Sequence, residues 1–449
     1  MRIYYEIETL KRELDARIFF SIIAASRGHS VVIGKKNRLL NKLKYSAPGI
    51  YIFKSNRTNP QIYSKQMRKL GYHIFSSDEE GHIIFNNEST LHRNPIDAFN
   101  VIDKYLAWGN EQANILKNEY KKKIENKIII CGNSRFDILK KPVNEIFLKS
   151  SEMIKKKYGE FDLYLSAFHR YNALGNDKSW EKILSNHTFQ NEKVQDAAYN
   201  IFHAQKNNMI KTINFLNSNS KKFKNKLIIR PHPSEDVSTW KNELNKDLKD
   251  SVITDHENTN AWILAARNIF SYYSFSLVEA FMLGKIPYNL QFSEGKYFQN
   301  LNLYDCCEKI IKPIDYEDLM SKVENSKASF SFKKREENIS DTIININRYN
   351  PDIVCEEIEE MFSNKEFIKR DDRFTNKLSF NYFKIIQKLK NFLNKKDSID
   401  FKIYNQKNPG IGLQDIITKT DHIGSLLNIK GLKCNELYPG VFEIIKEKN

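Results

Sequence analysis

Two residues suited to phosphate chemistry, Arg230 and His232, lie on a proline-rich turn near the middle of the chain. The apolar run 227–229 before them predicts a buried strand, and Pro231 and Pro233 predict that this strand ends sharply. Ligands of open α/β sheets bind at the carboxyl ends of strands. There an arginine can hold a phosphate, and a histidine can hydrogen-bond or protonate a leaving group. We therefore predict a phosphate site, with a proline-stiffened surface loop as the alternative.

Two serines further along the chain, Ser274 and Ser276, predict a helix N-terminus after another short strand. Backbone N–H groups at a helix N-terminus attract anions, so this segment is a second candidate site for a nucleotide phosphate. Glu279 lies in the first turns, where it could accept hydrogen bonds from ribose hydroxyls. An ordinary capping box of Ser276 and Glu279 is the structural interpretation, and the two are compatible.

Three consecutive carboxylates, Asp78, Glu79 and Glu80, follow a predicted strand in the first part of the chain and precede Gly81. Clustered carboxylates raise one another's pKa, which predicts that one of them is a general base near neutral pH. A solvated acidic turn is the alternative interpretation.

The fourth candidate is the turn Gly132–Asp137, in which glycine and Asn133 allow a tight bend. Arg135 and Asp137 would point toward a ligand or, in the structural interpretation, pair with each other. All four candidates follow predicted strands, so a parallel sheet would bring them to its carboxyl edge.

The elements that must position these residues alternate between short strands and helices, which predicts the α/β class with parallel sheets covered on both faces. We predict a Rossmann-like domain over 1–155, a second one over 156–335, and a helical, basic C-terminal extension with a small appended unit over 336–449. The first strand is not followed by a G-x-G-x-x-G loop, which argues against a dinucleotide cofactor.

Charge and cysteine content limit which partners and which kinds of site the sequence predicts. The 449 residues carry a formal net charge of +16, which suits anionic partners. The five cysteines form no C-x-x-C pair and predict neither a disulfide framework nor a zinc site. The N-terminus has no signal-peptide layout, and the apolar run 18–25 is too short to span a bilayer. We expect a cytoplasmic protein.

A basic, aromatic segment over 380–396 suggests how the protein would approach a membrane. Its composition is typical of a helix lying on the anionic inner face of the cytoplasmic membrane, or equally of a helix packed on the main body. We expect truncation after about residue 365 to leave soluble activity and to weaken membrane association.

The order of the candidate stretches resembles bacterial transferases that use CMP-activated acidic sugars, the sialyltransferase-like and Kdo-transferase-like enzymes. Those families carry an acidic pair followed by glycine, then a His-Pro motif, then a serine motif. Over roughly residues 1–300 the chain also resembles a family of surface carbohydrate biosynthesis proteins. The stretches that carry this resemblance are 6–15, 108–109, 132–137, 230–235 and 278–284. Two departures are Ser134, where the family pattern has proline, and the run 274–277.

The resemblance implies a GT-B fold, in which two Rossmann-like domains face a cleft, the first for the acceptor and the second for the nucleotide-sugar. It implies transfer of an ulosonic or nonulosonic acid from a CMP donor to a surface polysaccharide or its lipid-linked precursor, with no cofactor and no metal. Asp78 or Glu79 would be the base of an inverting reaction, and Asp137 the nucleophile of a retaining one. Glu8, Asn133 and Arg135 would contact donor or acceptor.

Three alternatives remain open. Teichoic-acid-type glycerophosphotransferases, which move a polyol phosphate from a CDP donor, resemble the chain at the Gly-x-x-Arg-x-Asp stretch and the His-Pro turn; another GT-B transferase is equally compatible with the fold. A non-catalytic protein that binds nucleic acid or membrane would use the net charge alone. Against nucleic acid, the basic residues are dispersed and form no recognised nucleic-acid-binding pattern.

Overall fold

The computed structural model describes residues 1–174, 192–223, 226–254, 257–293, 301–343, 348–363 and 410–447. The chain divides into two compact units: the first comprises Met1–Val143 with Ser340–Asn449, and the second comprises Asn144–Ile339. The boundary between them therefore lies near residue 143 rather than 155. The described residues after 339, which we predicted to form a separate extension, belong to the first unit.

The strands, in chain order, are β1 (Arg2–Ile7), β2 (Ser30–Lys35), β3 (Ile50–Phe53), β4 (His73–Ser77), β5 (Lys104–Ala107), β6 (Ile128–Ile130), β7 (Asp162–Leu165), β8 (Leu227–Arg230), β9 (Ile269–Ser271), β10 (Pro287–Gln291), β11 (Glu308–Ile311), β12 (Leu432–Tyr438) and β13 (Val441–Lys446). Most are short runs of β-branched and aromatic residues, and the central ones are buried along nearly their whole length, as strands covered on both faces must be.

The helices, in chain order, are α1 (Leu10–Ser26), α2 (Lys36–Leu40), α3 (Asn59–Lys69), α4 (Asn87–Arg93), α5 (Ile96–Phe99), α6 (Asn110–Tyr120), α7 (Ser134–Asp137), α8 (Leu148–Tyr158), α9 (Glu192–Ser218), α10 (Ser220–Phe223), α11 (Val237–Glu243), α12 (Thr259–Ala265), α13 (Phe275–Met282), α14 (Tyr316–Ser329), α15 (Phe332–Ile339), α16 (Asn350–Phe362) and α17 (Leu413–Leu426).

In the first unit, the described strands form one sheet in the order β12-β13-β2-β1-β3-β4-β5-β6. Strands β1 to β6 are parallel, with Tyr4 opposite Val32 on one side and Tyr51 on the other. The chain goes from β1 to β2 on one side and then crosses to β3 on the other side of β1. This reversal is the topological switch point, where open α/β sheets bind ligands at the carboxyl ends of the strands.

The second unit repeats this design with the strand order β11-β10-β9-β7-β8, all parallel. Its switch point lies beside β7, because the chain goes to β8 on one side and returns to β9 on the other. Two Rossmann-like α/β units with parallel sheets confirm the predicted fold class. Residues 251–254 add no strand to this sheet: Ser251 ends a 3₁₀ helix, and Val252 forms an isolated bridge to Ile229.

The C-terminal residues extend the first sheet. Strand β13 pairs antiparallel with β2, with Val441 opposite Gly34 and Ile444 opposite Val31. A Cβ at Gly34 would lie 3.0 Å from the Val441 side chain, so the close approach of β13 favours glycine there. Helix α17 packs against α1, and its Lys419 pairs with Asp15 at 2.7 Å. The small appended unit predicted from the sequence is therefore part of the first unit's sheet layer. The predicted membrane-binding helix 380–396 lies outside the described residues.

Candidate functional site

Three neighbouring strands of the second unit end side by side and carry the predicted phosphate-handling residues. The last residues of β7 and β8, Leu165 and Arg230, are paired in register, and β9 flanks β7 on its other side. His232 follows β8 and Ser274 follows β9, so both predicted motifs lie at the carboxyl edge around the switch point.

A second histidine, His169, joins this edge from the end of β7. Its ring lies against the ring of His232, with centroids 4.6 Å apart and planes inclined by 33°. The Nδ1 atom of His232 accepts the backbone N–H of Ser234 at 3.1 Å. An accepting Nδ1 places the proton of the neutral ring on Nε2, which makes Nε2 a hydrogen-bond donor. The sequence analysis missed His169, although it follows a buried strand as His232 does.

The histidine turn is held by Glu235, which is buried. Its carboxylate accepts hydrogen bonds from the Ser166 hydroxyl at 2.7 Å, the Phe168 backbone N–H at 2.8 Å and the Trp240 indole N–H at 2.9 Å. Burial raises the pKa of this carboxyl, while these donors oppose the rise. Glu235 thus ties the turn after β8 to the segment after β7. Pro233, predicted as a phosphate-site residue, is exposed within this turn.

Arg230 remains at the carboxyl end of β8, where the sequence places it. Its guanidinium lies 4.7 Å from the centre of the Trp262 ring, and Nη2 donates to the Glu257 carbonyl at 3.3 Å. Stacking of this kind orients an arginine without removing its capacity for phosphate. Its predicted contact with a phosphate stays a prediction.

The serine segment forms a helix N-terminus, as predicted, but at a different residue. Ser274 is the N-cap of α13, and its hydroxyl accepts the N–H of Ser276 at 3.3 Å. The predicted capping box of Ser276 with Glu279 therefore does not form, because the helix begins two residues earlier than that box requires. Ser276 and Glu279 lie in the first turns of α13 and are both partly buried.

The turn into α13 is strained at Tyr273, which has φ of +44°. A large aromatic residue seldom adopts a positive φ, and such conformations persist only where neighbours hold them. Here Asn289 accepts the Tyr273 N–H at 3.2 Å, and the Tyr304 hydroxyl donates to the Tyr273 carbonyl at 2.7 Å. The position of the Ser274 cap is thus maintained by long-range contacts, which is typical of functional turns.

In the first unit, the acidic motif follows β4, but two of its three carboxylates are held by arginines. Asp78 is buried and accepts from Arg93 Nε at 2.7 Å. Glu79 is buried and accepts from Arg17 Nη2 at 2.7 Å, with Arg135 Nη1 at 3.6 Å from its other oxygen. Glu80 is exposed, with 59% of its side chain accessible, and its Oε1 lies 3.9 Å from Arg12 Nη1.

The pKa of Glu79 moves in the opposite direction to the sequence prediction. Burial by itself would raise the pKa, but the positive charges of Arg17, Arg135 and Arg12 outweigh it and lower the pKa to about 2. Glu79 is therefore a permanently ionised partner of arginines and a poor proton acceptor at neutral pH. The neighbouring carboxylates therefore do not make Glu79 a base, because its ion pairs with arginines lower its pKa.

Helix α1 supplies two buried charges that the sequence analysis did not select, Glu13 and Arg17. Arg17 is fully buried, lies 3.8 Å above the Tyr5 ring and donates from Nε to the Glu6 carbonyl at 3.3 Å. Glu13 is also fully buried and has a raised pKa, because of burial and then the negative charge of Glu79. Their i, i+4 spacing, which places both on one helix face directly before the apolar run 18–25, is the signal that could have identified them.

The switch point of the first sheet brings Glu8 and Lys54 together. Lys54, which directly follows β3, forms an ion pair with the exposed Glu8 after β1. Its backbone N–H donates to the buried Glu6 carboxylate at 3.0 Å, and the Tyr51 hydroxyl donates to the other oxygen of Glu6 at 3.0 Å. Glu8 thus lies at the carboxyl edge of the first sheet, and its contact with donor or acceptor stays a prediction.

The loop Gly132–Asp137 follows β6. Its predicted site residues bond mainly to one another and to other residues of the protein. Asn133 accepts the Arg135 N–H at 2.9 Å, and Asp137 accepts from Lys140 Nζ at 2.8 Å. Arg135 faces Glu79, so the proposed pair between Arg135 and Asp137 does not form. Asp137 is buried, and burial raises its pKa to about 6. Its role as a nucleophile stays a prediction.

Among the described residues, no three His, Cys, Asp or Glu side chains are placed together to hold a metal ion. No helix within the same ranges is long and apolar enough to cross a membrane.

No protein-family model matches the sequence, and no curated protein matches it. Among solved structures, the chain is similar to the wall teichoic acid polymerase TagF, with 11% identity over 81% of this chain and 90% of that chain and a TM-score of 0.48. It is also similar to a UDP-N-acetylglucosamine 2-epimerase, with 13% identity over 82% and 98% and a TM-score of 0.47. A Staphylococcus aureus MnaA–UDP structure has 11% identity over 82% and 99%, with a TM-score of 0.45. These likenesses are too distant to assign an activity.

Proposed function

We propose that the protein is a transferase of cell-envelope glycan synthesis that takes its donor from a cytidine nucleotide and binds the donor phosphate at the carboxyl edge of the second sheet. The observation that carries the proposal is the pair of adjoining imidazoles, His169 after β7 and His232 after β8, at the same sheet edge as the helix capped by Ser274. Imidazole N–H groups and a helix N-terminus stabilise negative charge that develops on a departing phosphate. The choice of a cytidine nucleotide rests on the sequence motifs, which resemble those of CMP-dependent transferases.

The first candidate donor is a CMP-activated ulosonic or nonulosonic acid. In this reaction the bond between the anomeric carbon and the phosphate oxygen breaks, the electron pair leaves with CMP, and an acceptor hydroxyl oxygen bonds to that carbon. The hydroxyl proton passes to a base. We assign this role to Glu80, because Asp78 and Glu79 are buried and bonded at 2.7 Å to Arg93 and Arg17, whereas Glu80 is exposed and approaches Arg12 only at 3.9 Å. The acceptor is a glycan or a lipid-linked glycan.

The second candidate donor is a CDP-polyol, and one observation favours it. Two imidazoles at one sheet edge, with Arg230 at the end of β8, place three side chains with N–H donors where a diphosphate would bind. In this reaction the acceptor hydroxyl attacks the phosphorus that carries the polyol, the bond to the bridging oxygen breaks, and CMP leaves. Both candidates therefore release CMP and differ only in the transferred group.

The test is calorimetric titration of the purified protein with CMP, with UMP and ADP as controls. We expect selective CMP binding that is lost in His169→Ala and His232→Ala. The exposed histidine His422, in the first unit, provides the matched control, and His422→Ala should bind CMP as the wild type does. Turnover of CMP-Kdo, a CMP-nonulosonate and CDP-glycerol then distinguishes the two donors. Absence of CMP preference would overturn the cytidine assignment, and absence of any nucleotide binding would revive the non-enzymatic alternative.

A further inference from the structure

Asn350, the first residue of helix α16, directs its side chain away from its own helix and into the loop Gly132–Asp137. Its amide nitrogen donates to the Cys131 carbonyl at 3.3 Å and to the Gly132 carbonyl at 3.1 Å. Its amide oxygen accepts from the Ser134 hydroxyl at 2.9 Å. Its backbone N–H donates to Asp137 Oδ2 at 2.7 Å. One buried residue thus bonds to three residues of the loop and to Cys131 directly before it.

The loop needs such a partner because of where it begins. Strand β6 is the edge of the first sheet, so the carbonyl groups that follow it have no next strand to bond with. Gly132 then turns through a positive φ of 69°, which takes the chain out of the strand direction. Buried carbonyl groups must be paired, and the Asn350 amide pairs two of them.

The same loop presents Arg135 to the acidic motif. The Arg135 guanidinium lies 3.6 Å from Glu79 Oε1 and 3.5 Å from the Glu79 carbonyl. Glu79 and Glu80 are adjacent in the motif, so a displacement of Arg135 alters the charge beside the exposed carboxylate. Arg135 keeps this place because Asn133 and Ser134, on its N-terminal side, are held within a loop that Asn350 fastens.

We propose that Asn350 is a positioning residue: it holds the loop Gly132–Asp137 so that Arg135 stays against Glu79 beside the acidic motif. In the sequence, the loop precedes the second unit and Asn350 follows it. The inference rests on the proposed function in one respect only, which is that the acidic motif serves the acceptor.

Helix α16 has other anchors, which separate positioning from simple attachment of the helix. Near its C-terminal end, Glu359 accepts from Arg27 Nε at 2.9 Å and Nη2 at 2.6 Å, and it also contacts His29. Near its start, the ring of Tyr349 packs edge-on against Phe19 with centroids 5.1 Å apart. Glu359→Ala therefore weakens the attachment of the same helix without touching the loop.

The experiment compares Asn350→Ala with Glu359→Ala in the full chain by hydrogen exchange and by kinetics. In Asn350→Ala we expect the amides of residues 132–136 to exchange at least about tenfold faster, because the loop loses its partner. We expect kcat to fall about 10- to 100-fold while KM for the donor stays within about twofold, since the donor binds in the second unit. In Glu359→Ala both quantities should stay near the wild-type values.

Equal exchange in the two variants, or an equal fall in kcat, would overturn the positioning role. Should Asn350→Ala fail to fold, Ser134→Ala removes a single hydrogen bond from the same contact and should show the same effects at smaller amplitude. If the wild type turns over no cytidine donor, the proposed function fails, whereas the exchange comparison still decides whether Asn350 holds the loop.

Discussion

Replacement of Glu79 by glutamine tests whether this carboxylate is a structural ion-pair partner or a catalytic base. Glutamine keeps the size of the side chain and an acceptor oxygen but removes the charge. Arg17, which is fully buried, then keeps its positive charge without its closest counter-ion, since Glu79 Oε2 lies 2.7 Å from its Nη2. Removal of one partner from a buried ion pair typically costs about 3–5 kcal/mol.

The lowered pKa of Glu79, which arises from the same ion pairs, corresponds to a similar magnitude. An unperturbed glutamate has a pKa of about 4.3. In the folded protein the Glu79 pKa is about 2, a depression of about two units. At about 1.4 kcal/mol per unit, this corresponds to about 3 kcal/mol of folding free energy. The side chain is only 4% exposed, so screening by solvent does not reduce this figure appreciably.

The sign of the pH dependence follows from the direction of the shift. Because the folded pKa of Glu79 is depressed, its contribution is complete above the unfolded pKa of about 4.3. It is lost as the pH falls toward 2 and the carboxylate takes up a proton. The stability difference between wild type and Glu79→Gln should therefore be largest at neutral pH and should shrink between about pH 4 and pH 2.

Urea denaturation followed by circular dichroism at pH 7, 4 and 3 measures this difference. The adjacent residue provides the matched control, because Glu80 is exposed and Glu80→Gln should change the stability by no more than about 0.5 kcal/mol. A Glu79→Gln variant as stable as Glu80→Gln at pH 7 would refute the ion-pair assignment. In the proposed reaction the kinetic order is reversed, with Glu80→Gln losing turnover at unchanged stability.

Three further predictions address the donor site, a buried acid and the C-terminal strands. His232→Ala should lower turnover at least about 100-fold in a donor assay with an unchanged circular dichroism spectrum, because three hydrogen bonds to Glu235 hold the turn and the imidazole contributes only its bond to the Ser234 N–H. Normal turnover would remove His232 from the site. Asp137→Asn should flatten the stability profile between about pH 4 and pH 6: a pKa raised to about 6 means that the wild type loses stability as the pH rises through this window, so an unchanged slope in urea titrations would contradict the burial of that charge. The sequence suggested that truncation after residue 365 would leave soluble activity. We now expect this truncation to destabilise the first unit, because it removes β13 and its buried Phe442 and Ile444 from the edge of β2. A soluble, fully active fragment in gel filtration and activity assays would show that β13 is dispensable.

Local chemistry determined the strands and helices. It also determined the two motifs, at His232 and at Ser274, that follow strands. The apolar run before Arg230 specified a buried strand, because only such residues favour a strand covered on both faces. The prolines ended this strand where His232 follows, and a serine hydroxyl began the helix at Ser274. Each of these preferences acts over a few residues, so the alternation of strands and helices, and with it the α/β class, could be predicted from the sequence.

Tertiary structure decided which charges meet and which residues share an edge. Glu79 is separated from Arg17 by 62 residues, and this contact reversed the predicted direction of its pKa. His169 acquired its place beside His232 only because β7 and β8 are neighbours in the sheet. Asn350 reaches the loop after β6 across more than 200 residues, and β13 pairs with a strand near the N-terminus. Such contacts depend on the path of the whole chain through two sheets, and no preference within a short segment encodes them.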